Sequence, residues 1–368
     1  MKFKIFQMRP YIGKKEIDEL ADSINNNWVT EGPKSQKFIE RILKYTGAKY
    51  GVLANNGTIA LYLALKCLGI KEGDEVIVSD FSFYASASTI HWAGAKPVFV
   101  DVSRKDFNMD VSQIEKKITS RTKAILPVHI YGQSVDMDPL LKIAKKYNLK
   151  VIEDACQSLG VFYKKTRHTG TMGDAGCFSF FADKTITTGG EGGMVVTNDK
   201  KLYEKLRYFR NQGRLKSGTF IHPKFGLNFR LTDLATGFGL AQMDQLGYII
   251  KKKLGNYKLY RKLLKDVEEV EFLEEVKYSN FIPFRVNIKV KKLRKLIEFF
   301  EQQGIQTREC FYPLHKEPIF AKYKNKDSDF PNTVFASRNA MSLPVHLGLR
   351  IKDIEYICTV VRKFYNKN

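Results

Sequence analysis

The sequence predicts an α/β protein, with a mostly parallel sheet in a large domain and a smaller α+β domain at the C-terminal end. Short apolar strands alternate with helical stretches between residues 49 and 198, the pattern of a parallel sheet with crossover helices. Near Gly247 this alternation gives way to a long helical segment, short strands and a further helix. A chain of 368 residues is also long for one core. We therefore expect two domains: residues 1–246, which include an N-terminal arm, and residues 247–368.

The elements of the large domain follow one another regularly. Apolar strands are expected at 50–54, 75–78, 97–100, 124–128, 151–152, 177–180 and 194–196. Helices are expected at 59–68, 85–92 and 137–147, and another at 233–245. In the small domain, helices at 251–267 and 293–303 are expected on either side of short strands near 281–290. Ligands of such sheets bind beyond the carboxyl ends of the strands, where most of the unusual residues fall.

The composition is that of a globular protein in a reducing compartment. Hydrophobic residues make up 43% of the chain, an ordinary share, and no apolar run approaches the ~20 residues that cross a bilayer. The first residues show no signal-peptide pattern. The five cysteines are scattered and form no C-x-x-C pair, which argues against a zinc site or a disulfide framework. We expect a cytoplasmic protein without a metal and without membrane insertion.

The formal net charge of +22 has two interpretations. It could indicate a nucleic-acid surface. The lysines, however, are spread over the predicted helices and mixed with acids, and no nucleic-acid-binding motif is present. We favour a lysine-rich solvated surface that also suits anionic small substrates, without specific nucleic-acid binding.

The segment 177–196 is the most informative part of the chain. Lys184 stands there between a short apolar strand and a glycine-rich loop. Glycines let the backbone approach a bound group closely. A lysine amine in such a pocket can form a Schiff base with a carbonyl, provided that its pKa is lowered. The alternative is a solvent-facing lysine before a flexible loop.

Asp154 ends another strand and has three possible roles. Its carboxylate could bind a metal, act as a base, or pair with a cationic ring nitrogen. No second cluster of acids or histidines supplies a convincing metal site. An acid next to a ring nitrogen, together with a Schiff-base lysine such as Lys184, is the pair that pyridoxal 5′-phosphate needs.

Three further positions allow both a binding and a structural interpretation. Residues 55–58 open a helix directly after a strand, which suits a phosphate, although Thr58 is equally a plain N-cap. Phe83 could stack on a planar ring or belong to the core. His129 and His315 could be acid–base groups, but lone histidines more often serve packing or hydrogen bonding.

These motifs, in this order, resemble those of the sugar aminotransferases of the DegT/DnrJ/EryC1/StrS family, which have the aspartate-aminotransferase fold (fold type I). The similarity covers nearly the whole chain. It is carried by the stretches 10–13, 28–33, 56–58, 127–133, 153–158, 177–196, 226–233, 311–315 and 343–346. Several specific motifs in the right order make a coincidence implausible.

The resemblance implies a role for each site residue. Lys184 would form the Schiff base with pyridoxal 5′-phosphate and Asp154 would pair with the pyridine nitrogen. Gln157 would contact the ring hydroxyl, and Phe83 would stack on the ring. The phosphate would be held by Gly57, Thr58 and Ser179, with Asn228 of the partner subunit, so the resemblance also implies a homodimer with shared active sites. The nucleotide-sugar would lie towards Trp28, Thr30, Gly32, Pro33, Arg230 and His315.

The resemblance also implies the reaction. Family 3-dehydratases carry histidine at the position of Lys184, so the lysine favours transamination. We expect transfer from L-glutamate to a nucleotide-linked keto-6-deoxyhexose at C4, for the synthesis of surface polysaccharide such as the O-antigen of lipopolysaccharide. The loop 187–191 is one residue longer than in perosamine-forming members and is similar to that of 3-aminotransferases. Amination at C3 therefore stays an alternative, as do a pyridoxal-phosphate sugar dehydratase and a non-catalytic regulatory protein.

Overall fold

The computed structural model describes residues 3–214 and 220–366. The first strands are β1 Tyr50–Ala54, β2 Glu75–Ser79, β3 Lys96–Val100, β4 Thr122–Leu126, β5 Lys150–Asp154, β6 Phe162–Tyr163, β7 Arg167–His168, β8 Ala175–Ser179 and β9 Gly193–Thr197. The helices in the same part of the chain are α1 Lys14–Asn25, α2 Pro33–Thr46, α3 Gly57–Cys67, α4 Tyr84–Trp92, α5 Met137–Lys146, α6 Lys200–Arg210 and α7 Asp233–Asp244. The C-terminal part contains α8 Leu246–Leu263, β10 Val270–Phe272, β11 Val286–Val290, α9 Leu293–Gln302, β12 Arg308–Glu309, α10 Pro331–Asn339, β13 Ala340–Leu343 and α11 Ile351–Phe364.

The central sheet has seven strands in the order β1-β9-β8-β5-β4-β2-β3. All neighbouring pairs are parallel except those of β9, which is antiparallel to both β1 and β8. Strands β2 and β9 are buried along their whole length, as expected when helices cover both faces of a sheet. The predicted mostly parallel sheet is confirmed.

A second sheet of four antiparallel strands, in the order β10-β11-β13-β12, forms the C-terminal part. Helices α8, α9 and α11 share a core with this sheet, which includes Tyr260, Ile288, Phe300 and Ile357. This confirms the predicted smaller α+β unit. The boundary between residues 246 and 247 falls at the beginning of α8 and stays a prediction.

The strands predicted for the large sheet agree with the structure to within two residues at either end. Two expectations for the C-terminal part are wrong in detail. Helix α8 begins at Leu246 rather than 251, because the backbone stays helical through Gly247. Only β11 lies in 281–290, and its antiparallel partners come from distant segments. Within the described ranges, no helix is long and apolar enough to cross a membrane.

The topology brings the carboxyl ends of several strands to one edge of the sheet. Asp154 is the last residue of β5, and β5 pairs in parallel with β8, which ends at Ser179. Helix α3 begins at Gly57, shortly after the end of β1. This edge is where a parallel sheet offers a binding crevice.

Candidate active site

A cavity of about 530 Å³ opens at this edge of the sheet. A volume of this order suits a small-molecule or cofactor site, which typically occupies about 300–1,000 Å³. It is lined by every cofactor-binding residue that was predicted within one subunit: Gly57, Thr58, Phe83, Asp154, Gln157, Ser179 and Lys184. The structure therefore brings these seven residues together, although they come from five separate segments of the chain.

Lys184 is largely buried, with 17% of its side chain exposed, so it is not the solvent-facing lysine of the alternative interpretation. Its Nζ lies 3.3 Å from Asp183 Oδ1 and 4.6 Å from the centre of the Phe284 ring. Asp183 Oδ2 accepts a 2.9 Å hydrogen bond from Arg285. Burial opposes the charged form of Asp183, but the charges of Lys184 and Arg285 outweigh it and lower the pKa of this carboxyl.

The Asp154 carboxylate is buried, and each of its oxygens accepts a hydrogen bond. The Ser86 hydroxyl donates a 2.8 Å hydrogen bond to Oδ2, and the backbone N–H of Cys156 donates to Oδ1 at 3.1 Å. Ser82 lies 2.8 Å from the Ser86 hydroxyl and continues this chain of hydrogen bonds. These donors compensate the cost of a buried carboxylate. Ser86 was not predicted, because a serine inside a helix carries no sequence signal for this contact.

The beginning of α3 forms a tight cradle against β8. A Cβ atom at Gly57 would lie 2.8 Å from Ser179 Cβ and 2.9 Å from Cys156 Sγ, so only glycine allows this approach. Asn56 is the N-cap of the helix and accepts a 2.9 Å hydrogen bond from the Ile59 N–H. The N-cap interpretation of Thr58 is therefore wrong. Thr58 belongs to the first turn, where free N–H groups suit a phosphate.

The middle of the cavity offers a flat aromatic surface and an amide. Phe83 is 58% exposed and lines the cavity, so it is not a core residue. Gln157 Oε1 accepts a 3.0 Å hydrogen bond from the Tyr131 N–H, which leaves the amide NH₂ free to donate. Together with the cradle, Asp154 and Lys184, this donor set fits pyridoxal phosphate, which needs a phosphate site, a ring surface, an acid and a lysine.

The structure does not bring the other predicted site residues to this cavity. Asn228 is exposed, and its Oδ1 accepts only a long 3.4 Å hydrogen bond from the Arg230 N–H. The Arg230 guanidinium donates to Asn211 at 2.5 Å. The predicted residues of the 28–33 segment lie in the connection between α1 and α2 and at the beginning of α2, outside the cavity lining: Trp28, Thr30, Gly32 and Pro33.

His315 is a correction to the predicted substrate contacts. Its side chain is 2% exposed, with Nδ1 at 2.6 Å from Asp80 Oδ2 and Nε2 at 3.1 Å from Asp327 Oδ1. Burial disfavours the imidazolium, but the two carboxylates outweigh burial and raise the pKa of His315. Because both ring nitrogens are occupied, His315 connects its turn to the loop before Phe83 and does not face the cavity.

The C-terminal part supplies cavity residues that the sequence reasoning missed. The additional lining residues are Phe284, Arg285, Arg308, Glu309, Cys310, Phe311 and Tyr312. Of these, Phe311 and Tyr312 lie in a stretch that carried the family resemblance. Arg285 and Arg308 belong to an α+β unit whose placement against Lys184 depends on the tertiary fold.

The chain matches known proteins over nearly its whole length. The model of the DegT/DnrJ/EryC1/StrS aminotransferase family matches residues 10–362. GDP-perosamine synthase of Escherichia coli O157:H7 is 36% identical over 360 residues, which cover 97% of this chain and 98% of that enzyme. UDP-4-amino-4-deoxy-L-arabinose–oxoglutarate aminotransferase of Shewanella sediminis is 32% identical over 379 residues, 96% of each chain.

Solved structures agree with this match. The aminotransferase from Psychrobacter cryohalolentis superimposes with a TM-score of 0.91 at 28% identity, over 97% of this chain and 98% of that one. The family match includes both the segments around Lys184 and Asp154 and the C-terminal residues that close the cavity. The chain thus belongs to the DegT/DnrJ/EryC1/StrS aminotransferase family and is a pyridoxal-phosphate-dependent aminotransferase.

Proposed function

We propose that this aminotransferase transfers an amino group from L-glutamate to C4 of a nucleotide-linked keto-6-deoxyhexose, for the synthesis of surface polysaccharide. The observation that carries the proposal is the shared cavity of Lys184 and Asp154 in a chain 36% identical to a GDP-perosamine synthase. The name of the Shewanella relative supports C4 and the donor, because it contains a UDP-linked 4-amino sugar and oxoglutarate. Oxoglutarate is the keto acid that remains when glutamate gives up its amino group.

In this proposal, the lysine and the two aspartates of the cavity have different tasks. Bound pyridoxal phosphate supplies a carbonyl carbon and an electron-withdrawing ring. Lys184 would hold the cofactor through Nζ, and its free amine would accept the proton that leaves the α-carbon of the donor and return it at the far end of the transfer. Asp154, fixed by Ser86 and Cys156, holds a proton on the ring nitrogen. Asp183 orients the Lys184 amine at 3.3 Å.

A basic groove beside the cavity supports a nucleotide-linked substrate. The groove has a volume of about 720 Å³ and shares Glu309 and Tyr312 with the cavity. Its cationic lining residues are Lys292, Arg294, Lys295, Lys316 and Arg338. Lys316 and Arg338 pair with Asp327, but the other three form no ion pair with any described residue. A keto sugar that reaches Lys184 could extend its diphosphate, with two negative charges, into this groove.

We further propose that the enzyme is a homodimer in which Asn228 of the partner subunit reaches the phosphate. Asn228 is exposed and is preceded in the sequence by two strongly exposed aromatic side chains, Phe220 at 91% and Phe225 at 97%. Large exposed apolar side chains next to a polar one are typical of an interaction surface. A second subunit on this face would cover the two phenylalanines.

Amination at C3 is the second candidate, and the loop 187–191 is the observation that favours it. Gly189 and Gly190 turn the backbone of this loop, with φ of +88° and +157°. Glu191, directly after them, lines the cavity. The conformation of the loop therefore determines where the Glu191 carboxylate faces the sugar. In this way it would also determine which carbon of the sugar lies next to the cofactor.

The test is an assay of the complete reaction with defined acceptors. The holoenzyme is incubated with L-glutamate and a GDP-, dTDP- or UDP-linked 6-deoxyhexose that carries the keto group at C4 or, in parallel reactions, at C3, and the product is analysed by NMR and mass spectrometry. An amino group at C4 supports the proposal. A product formed only from 3-keto sugars would establish the second candidate, and loss of water without nitrogen gain would indicate a dehydratase.

A further inference from the structure

A small chamber of about 50 Å³ lies beside Lys184, and we call it the side chamber. Its boundary with the large cavity consists of residues that line both spaces: Asp183, Lys184, Phe284, Arg285 and Arg308. A water molecule occupies about 10–15 Å³ on this measure, so the side chamber has room for about three or four non-hydrogen atoms. That is the size of one carboxylate group with its adjoining carbon.

Lys253 reaches the side chamber from α8 and is only 4% exposed. Its side-chain amine forms no hydrogen bond and no ion pair with any residue in the described ranges. Burial lowers the pKa of Lys253 to about 8; Asp183 acts against this shift, and the charges of Lys184 and Arg285 add to it. An anion in the side chamber would stabilise the charged amine, since a buried ammonium without a counter-ion is costly.

Other polar groups around the side chamber also lack partners. Gln7 Oε1 and His346 Nδ1 both line it, and both are buried without a hydrogen-bond partner among the described residues. Both atoms are hydrogen-bond acceptors, because the His346 ring donates through Nε2 to the Phe6 carbonyl. They therefore call for a donor, such as the Lys253 ammonium or water, and do not themselves bind an anion. The charge of Arg285 is already balanced by Asp183, so Arg285 does not require an anion in the side chamber.

The position of Lys253 relative to Lys184 suits an amino acid with two carboxylates. The Nζ atoms of Lys184 and Lys253 lie 4.6 Å and 5.9 Å from the centre of the same Phe284 ring. Glutamate spans roughly 4–5 Å from its α-carbon to its distal carboxylate, given C–C bonds of about 1.5 Å. Lys184 and Lys253 both line the side chamber, so the proposal places the α-carbon of the donor at Lys184 and its distal carboxylate in the chamber.

We propose that Lys253 binds the distal carboxylate of a dicarboxylic amino donor in the side chamber and so determines donor specificity. This inference rests on the proposed function, in which L-glutamate is the donor. An amide at the same place would leave the ammonium without a counter-charge, so glutamine would be rejected although it has almost the same shape. Lys253 is needed for the donor half-reaction only, since the sugar acceptor has no carboxylate at this position.

The first experiment measures the donor half-reaction of the holoenzyme in single turnovers. The change in the absorbance spectrum of the cofactor reports its progress. Wild type, Lys253→Met and the control Lys251→Met, an exposed lysine on the same helix, are each mixed with L-glutamate, L-glutamine or L-alanine. Lys253→Met should lose roughly 10–100-fold in efficiency with glutamate, the range for a hydrogen bond to a charged group. Its rates with glutamine and alanine, and all rates of Lys251→Met, should change by less than about 3-fold.

The second experiment measures binding without turnover. Calorimetric titration of the same holoenzymes with glutarate, a dicarboxylate without an amino group, should show the same 10–100-fold loss in Lys253→Met. Butyrate, which has one carboxylate, should bind all three proteins alike. Equal thermal unfolding midpoints establish that the variants are folded.

The outcomes separate this inference from the proposed donor. If wild type uses glutamate and Lys253→Met keeps both its glutamate efficiency and its glutarate affinity, the inference is overturned and the donor stands. The inference is also overturned, and the donor also stands, if Arg308→Met loses the preference for glutamate while Lys253→Met keeps it. If wild type reacts with glutamine or alanine but not with glutamate, L-glutamate is not the donor and that part of the proposed function is wrong. The role of Lys253 is then judged by binding alone: if Lys253→Met binds glutarate as tightly as wild type does, the inference is overturned as well.

Discussion

The surroundings of Asp154 keep one negative charge in a fixed place. Its two carboxylate oxygens accept hydrogen bonds from Ser86 and from the Cys156 N–H, which hold the carboxylate in one orientation. The neighbouring Cys156 thiol adds no second charge, because burial raises its pKa well above the ordinary value. Asp154 is therefore the anion that a cationic ring nitrogen would meet in this cavity.

Replacing Asp154 by asparagine tests this role. Asp154→Asn should keep the cofactor but lose transamination by on the order of 10²-fold or more, because a group that stabilises developing charge is removed. Steady-state rates and the cofactor absorbance are the measurements. Ser86→Ala, which removes one of the two hydrogen bonds, should lose less, about 10-fold. Near-normal turnover of Asp154→Asn would remove this carboxylate from the mechanism.

At the scale of single elements, the first turn of α3 can bind a phosphate only if its backbone stays close to β8. Gly57→Ala would place a methyl group 2.8 Å from Ser179 Cβ and push the two elements apart. We expect weaker retention of pyridoxal phosphate, by roughly 10-fold or more, and a lower unfolding midpoint, since overpacking costs about 1–3 kcal/mol. Dialysis followed by cofactor quantification gives the retention.

Gly247→Ala is the matched control for this prediction. Gly247 lies in α8, and a Cβ atom added there would meet nothing within 4 Å. Because alanine is the better helix former, this variant should keep the cofactor and gain about 0.5–1 kcal/mol of stability. Cofactor retention in Gly57→Ala equal to that of Gly247→Ala would contradict the phosphate assignment.

The turn around His315 is a second element whose role is structural. His315 pairs with Asp80, which lies directly before the loop of Phe83, and with Asp327. Since the pKa of His315 is raised in the folded protein, its contribution is fully present below the unfolded pKa of about 6.5 and is lost as pH rises through the folded value. The loop of Phe83 should therefore be best anchored under mildly acidic conditions.

His315→Asn should accordingly cost more stability at pH 6 than at pH 9. At pH 6 we expect a loss of about 1.5–3 kcal/mol in the free energy of unfolding, the range for a hydrogen bond to a charged group, and clearly less at pH 9. Urea unfolding of both proteins at the two pH values is the measurement. A difference that does not vary with pH, combined with a selective rise in the KM of the nucleotide-sugar, would restore the substrate-binding interpretation.

At the scale of the whole molecule, those features of the fold and of the site that depend on local sequence patterns could be predicted from the sequence. Apolar strands alternating with helices identify the parallel sheet, and Lys184 and Asp154 stand out because each follows a strand at the edge where ligands bind. Ser86 could not be found in this way, because its contact with Asp154 exists only after α4 packs beside β5. Lys253, Arg285 and Arg308 approach Lys184 from the C-terminal part, and their local sequences resemble those of surface cations.

His315 illustrates the opposite error. Its motif lies in the expected order along the chain, yet the side chain turns towards Asp80 and Asp327. A carboxylate that is distant in sequence can capture a histidine, and no pattern around His315 indicates it. Position in a motif thus predicts the neighbourhood of a residue better than it predicts the partner of its side chain.

A site shared between two subunits is the last expectation at the scale of the whole molecule. The backbone of Asn228 forms a β-bridge with Asn211, but its side chain contacts, among the described residues, only the Arg230 N–H at 3.4 Å, which is too long to explain an asparagine by local structure. Asn228→Ala should therefore leave the fold intact and weaken cofactor retention by roughly 1.5–3 kcal/mol, the value of one hydrogen bond to a charged group. Thermal unfolding and cofactor titration would measure the two effects.

Mixing Asn228→Ala with Lys184→Ala then decides whether the partner subunit completes the site. In a mixed dimer, one site would carry both substitutions and the other would carry neither, so activity should return after subunit exchange. The assay is run at limiting cofactor, where Asn228→Ala alone is nearly inactive, and exchange is verified with differently tagged subunits. If tagged subunits exchange and no activity appears above the sum of the two separate variants, Asn228 does not act across an interface. The weak bond to the Arg230 N–H would then be its whole role, as a local turn residue.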